Sequence, residues 1–122
     1  MIWSVEIGIL IYNIYYKKNV DYLYINEKYY PYVSDKPDKK YYIITNTGKR
    51  VYFGSSNHEN YSSGHLDEER KQRYIVRHKK NESKFWNDPN TAAYWALKYL
   101  WTYPTKKEAY ENIKKDLKIY IN

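Results

Sequence analysis

The residues best suited to chemistry crowd into one stretch, His65-Leu66-Asp67-Glu68-Glu69-Arg70-Lys71-Gln72-Arg73-Tyr74-Ile75-Val76-Arg77-His78-Lys79-Lys80. On a helix Arg70, Tyr74 and His78 follow at i, i+4 and share a face, while Arg73, Arg77 and Lys80 form the row beside it. Guanidinium groups take phosphate oxygens two at a time, and a Tyr or His between two cationic rows can fix the register of a polyanion. Arg70, Lys71, Arg73, Arg77, Lys79 and Lys80 are therefore expected to meet the phosphates of a nucleic acid, with Lys49 and Arg50 extending the patch. Such contacts position a protein without reading sequence, so little base specificity is expected. The competing reading is a solvated helix face in which Glu69 pairs with Arg73 and the pairing contributes little.

The same segment supports a second arrangement. His65, Asp67, Arg70, Tyr74 and His78 can form a structural polar network, since Asp67 and Arg70 stand one turn apart near His65. The three histidines, His58, His65 and His78, invite a metal with Asp67 or Glu69, but their spacing fits no zinc pattern. There is no cysteine, so thiolate sites and disulfides are excluded. No catalytic group, metal or cofactor is assigned.

These side chains need elements to hold them. Leu66 to about Lys80 reads as a helix, acidic in its first turn and basic in its last, which complements the helix dipole. A second helix is expected from a cap at Asp88, with Pro89 at its first position, to about Trp101. Its Ala92, Ala93, Trp95, Ala96, Leu97, Tyr99, Leu100 and Trp101 cover most of the circumference, which predicts a buried, central helix. Pro104 stops it, and Thr105 with Glu108 forms a capping box for a third helix carrying Ala109, Ile113 and Leu117 on one face.

Upstream, Tyr41 to Thr45 and Lys49 to Phe53 read as strands joined by the loop Asn46-Thr47-Gly48, and the segment from Gly54 to Gly64 reads as an exposed polar loop. Earlier still, Val5, Ile7, Ile9 and Ile11 alternate with polar neighbours, and Val20 to Ile25 is a second β-rich segment. Tyr30-Pro31 and Ser34-Asp35-Lys36-Pro37-Asp38 form a hinge. The predicted fold class is α+β, with N-terminal strands and a hairpin followed by three helices, the middle one buried. One domain is expected, a β-rich arm at 1–33 leading into a main body at 34–122.

A chain of 122 residues suits a single core, and 21 Lys and Arg against 14 acidic residues give a charge of +7 that attracts polyanions. The 18 tyrosines match the composition of an AT-rich genome, and they also predict rings at the core's edge with hydroxyls near water. A wide aromatic surface follows, suited to other proteins or to a second copy of the chain. The run from Ile7 to Tyr12 is far short of the roughly 20 residues that span a bilayer, so no membrane anchor is expected. Met1-Ile2-Trp3 and Glu6 do not suit a secretory leader, which leaves the cytosol as default.

Two resemblances extend this reading. Tyr41 to Ser56 is similar to the opening of the GIY-YIG nucleases, which implies Tyr42 and Tyr52 as motif tyrosines, Arg70 or Arg73 as the helical arginine and Glu82 as a metal ligand. Lys40 stands where that motif has Gly, Phe53 where it has Ile, and Glu82 has no motif around it. The longer series Ser34-Asp35-Lys36-Pro37-Asp38-Lys39-Lys40-Tyr41, Tyr52-Phe53-Gly54-Ser55-Ser56, His65-Leu66-Asp67, Arg70, Arg73-Tyr74, Arg77-His78, Tyr94-Trp95, Tyr99-Leu100-Trp101 and Pro104 resembles a family of small proteins encoded by giant and other large DNA viruses. That resemblance implies a viral accessory protein of the infected cell's cytoplasm or viral factory, with the virus particle as an alternative place. A non-enzymatic nucleic-acid binder is the first expectation, and a minor capsid or scaffold protein using its β arm and tyrosines is the second.

Overall fold

The computed structural model describes residues 27–121. The expected strands around Val5 to Ile11 and Val20 to Ile25 lie outside the described residues. Strands β1 (Tyr32–Val33), β2 (Lys39–Ile44) and β3 (Arg50–Ser55) form an antiparallel sheet in that order. The hairpin between β2 and β3 turns at Asn46-Thr47-Gly48, where Gly48 takes φ +87 and the Gly48 N–H donates to Thr45 O at 2.9 Å. Three helices follow, so the α+β class and its order are those the sequence predicts.

Helix α1 (Glu68–Glu82) starts at Asp67, whose carboxylate accepts from the Glu69 and Arg70 N–H groups at 3.0 and 3.2 Å. Helix α2 begins as Ala92–Trp95 and widens into π-type turns over Ala96–Thr102. Its start differs from the expected Asp88 cap. Asp88 and Pro89 belong to a turn in which Asp88 accepts from Asn90 N, and Thr91 supplies the cap by accepting from Tyr94 N. Helix α3 (Lys106–Ile121) is capped by Thr105 through Glu108 N, as expected.

The core lies between the sheet and α2. Ile43 and Phe53 from the hairpin meet Trp95 and Leu100, with Ile113 and Leu117 of α3 closing the far side. Phe53 and Trp95 lie 5.8 Å apart, and the Trp95 indole donates to Pro89 O. The core also takes in Tyr29, 1% exposed, and β1 pairs Tyr32 with Tyr42, so these residues just ahead of position 34 pack with the body. The tyrosines whose side chains are described are mostly buried or half-buried. The tyrosines before residue 27 lie outside the described residues; among those whose side chains are described, Tyr30 is the most exposed at 39%, so these rings make no wide aromatic surface. Their hydroxyls find partners instead, as in Tyr94 to Asp116 and Lys106 to Tyr41.

The loop from Gly54 to Gly64 is exposed along most of its length, except near Asn60 to Ser62. Asn60 and Ser62 are buried; Ser62 donates to Tyr103 O, and Asn60 Nδ2 donates to Ser62 O. Ser63 and Leu66 there adopt left-handed φ values of 54° and 55°. This knot ties the hairpin to the turn between α2 and α3 and sets the angle at which α1 departs.

Candidate nucleic-acid interface

A cleft of about 720 Å³ opens between the β3 end of the sheet and α1. Arg70, Arg73, Tyr74, Arg77, His78 and Glu82 form its α1 wall, because those positions recur every three or four residues along one helix face. Lys39, Lys40, Ser55, His58, Glu59 and Asn60 form the opposite rim. Ala92, Ala93, Ala96, Leu100 and Trp101 of α2 make the floor. Five Lys and Arg side chains thus face two carboxylates, and the cleft carries the sign of the whole chain.

The cations differ in how far they are committed. Arg70 reaches Glu59 at 3.4 Å and Arg73 reaches Glu69 at 3.7 Å, both on the surface where such pairs contribute little. Arg77 is exposed and makes no ion pair among the described residues. Lys40 donates to Asn60 Oδ1 at 2.6 Å, and burial together with the nearby Lys106 cation lowers its pKa from the usual lysine value.

Other expected contacts lie elsewhere. Lys71 is not part of the cleft lining: its ammonium donates to Thr102 O at 2.9 Å and sits 4.8 Å over the Tyr61 ring. Lys79 and Lys80 are exposed but are not part of the cleft lining. Lys49 and Arg50 stand at the hairpin tip, the end of the sheet away from the Lys39–Ser55 pair that borders the cleft. Arg50 is held there by the Tyr52 hydroxyl at 3.1 Å and Asp35 at 3.4 Å, and it lies 4.3 Å over Tyr42. The Tyr52 hydroxyl also holds the Asp35 carboxyl below its ordinary pKa.

The five residues of the expected polar network do gather, but largely through ring contacts. Tyr74 is sandwiched, with His78 at 4.1 Å on one side and Trp101 at 4.3 Å and 6° on the other; Trp101 in turn meets His65 at 5.3 Å. Burial pushes the Tyr74 hydroxyl well above the usual phenol range. His78 Nδ1 is 2.7 Å from Glu82 Oε2, and since a carboxylate only accepts, that nitrogen carries the hydrogen. The Asp67 N–H donates to His65 Nδ1, which leaves the hydrogen on Nε2, a buried atom with no partner among the described residues. Desolvation, followed by the Arg70 charge, lowers the His65 pKa below its ordinary value.

Tyr52, Arg70, Arg73 and Glu82, named by the nuclease resemblance, line the cleft, whereas Tyr42 is buried between Tyr32 and Tyr52 under Arg50. Among the described residues no three His, Asp or Glu side chains converge to hold a metal. No described helix is long and apolar enough to cross a membrane. Sequence reasoning missed the rim and floor. Half of the rim, His58, Glu59 and Asn60, lies in an irregular loop with no period, and the alanines Ala92 and Ala96, one turn apart, read as core filling when they are a small-residue floor.

Gly54 holds the rim against the floor. Its φ is +83, and a Cβ there would lie 2.9 Å from Leu100 Cδ1 and 3.2 Å from Lys40 Cβ. The strand can approach α2 this closely only with glycine at that point.

A family model described as a family of unknown function (DUF5754) matches residues 32–78, which take in the whole sheet, the Asn60–Ser62 knot and α1 as far as His78. No curated protein and no solved structure matches the chain.

Proposed function

We propose that this cleft binds the phosphate backbone of nucleic acid, without sequence specificity, in an accessory protein of a large DNA virus that acts in the infected cell or within its particle. One observation carries the reading: Arg70, Arg73 and Arg77 open from successive turns of α1 into one cleft, opposite Lys39 and with Arg77 in no ion pair among the described residues. Arginine forks spaced by a helical turn suit a row of phosphate oxygens, and the weak surface pairs of Arg70 and Arg73 can exchange Glu59 and Glu69 for phosphate. The chain's charge of +7 adds a long-range attraction.

Binding of a labelled oligonucleotide across a salt series tests this. Three phosphate contacts predict that log affinity falls against log salt with a slope of roughly −2 to −3. Affinity that is absent at low salt, or that does not change with salt, removes the reading and returns weight to a protein partner.

A further inference from the structure

Phosphates alone do not explain the cleft's volume and apolar floor. A ridge of arginines suffices for a backbone, whereas this cavity of about 720 Å³ falls in the roughly 300–1,000 Å³ range of pockets that enclose a small organic molecule. Its floor of Ala92, Ala93, Ala96 and Leu100 offers no polar side chain, so what rests there is apolar and flat enough to lie on methyl groups.

The wall indicates what that group is. His65, Trp101, Tyr74 and His78 form a column of rings, and His78 is its last member. Tyr74 covers one face of the His78 imidazole, yet the side chain remains 32% exposed and borders the cleft. Glu82 holds the ring by Nδ1 and so fixes its plane. A planar ring stacked on His78 would extend the column, and Arg77, the residue before it on the helix, lines the same cleft.

We infer that the cleft takes an unpaired nucleobase of a single strand, stacked on His78 above the alanine floor, while its neighbouring phosphates meet Arg73 and Arg77. This deepens the nucleic-acid reading and rests on it. Every base has a π-face, so the pocket tolerates any base and remains consistent with binding that ignores sequence. Duplex bases are already stacked on one another, so a duplex reaches the arginine rim and leaves the floor empty.

Three probes at one salt concentration test it by fluorescence anisotropy: a short oligo-dT strand, the same strand with abasic sites, and a duplex of matching length. Base stacking on an aromatic predicts that the intact strand binds about tenfold tighter than the abasic one. His78→Ala should abolish that difference and His78→Phe should restore it, because phenylalanine keeps the ring face and loses only the Glu82 bond. Ala92 is exposed, so Ala92→Leu should leave the fold intact, fill the floor and weaken only the intact strand. This second variant decides the matter if His78→Ala fails to fold. Equal binding of intact and abasic strands overturns the base pocket while the phosphate reading stands. Failure of every probe to bind overturns both.

Discussion

Trp101 lies flat on Tyr74, their ring centroids 4.3 Å apart and their planes within 6°. This stack joins α1 to α2 and fixes the cleft's wall to its floor, since Tyr74 is buried and Trp101 partly so. Trp101→Ala removes the stacked face and leaves a void beside Tyr74. The expected loss is about 2–4 kcal/mol of stability by urea denaturation, somewhat under the range for a fully buried Trp. Trp101→Phe should retain part of it. A Trp101→Ala protein that unfolds like the parent would mean that α1 is held by other contacts.

Gly48 and Gly54 both have positive φ, at +87 and +83, but they differ in surroundings. A Cβ at Gly48 meets nothing within 4 Å, so Gly48→Ala should lose only the backbone term of about 1 kcal/mol. At Gly54 the same methyl meets Leu100 Cδ1 at 2.9 Å and Lys40 Cβ at 3.2 Å. Gly54→Ala should therefore lose more, about 2–3 kcal/mol, with overpacking added to strain. Parallel melts of the two variants check the order; equal losses would show that β3 can lift away from α2 freely.

The elements that were legible in the sequence are those whose signals are local. Asn46-Thr47-Gly48 carries its own turn chemistry, and Thr105 caps α3 through the Glu108 N–H; α1 starts two residues later than the expected Leu66, because Leu66 takes a left-handed φ and Asp67 is the cap. The Asp88-Pro89 start misleads because Asp88 satisfies Asn90 N in a turn while Thr91 competes as the cap. Lys71 carries the same charge as Arg70 and Arg73 but faces Thr102 O, a partner set by tertiary packing. The ring column is likewise invisible to periodicity: Tyr74 and Trp101 belong to different helices, and nothing in either helix alone announces that they meet.

His65 should make stability depend on pH. Its folded pKa lies below the ordinary value near 6.5 because burial, and then the Arg70 charge, disfavour the imidazolium; Lys40 acts the same way, and Glu59 and Asp67 oppose it. The unfolded chain therefore binds the proton more readily than the folded one. The contribution is complete above about pH 6.5 and is lost as pH falls through the lowered folded value. Melting temperatures measured from pH 7.5 down to 5 should fall, and His65→Asn, whose side-chain oxygen can accept from the Asp67 N–H, should flatten that window. The lowered carboxyl of Asp67, held chiefly by the Arg70 N–H, acts only further down in acid and does not mimic the effect.

The state of each cation also predicts an order among single variants in nucleic-acid binding. Arg77 lines the cleft with no ion pair among the described residues, Arg73 lines it while paired with Glu69, and Lys80 lies outside. Arg77→Gln should lose the most affinity and make the salt slope shallower by about one. Arg73→Gln should lose less, because the wild-type side chain first has to leave Glu69, and the stranded carboxylate of the variant accounts for much of what is lost. Lys80→Gln should change little beyond a weak field effect that disappears above roughly 0.15 M salt. Glutamine is a good helix former, so α1 should stay folded in all three. If Lys80→Gln instead matches Arg77→Gln, the backbone crosses the exposed outer face of α1, and the cleft does not set the path of the strand.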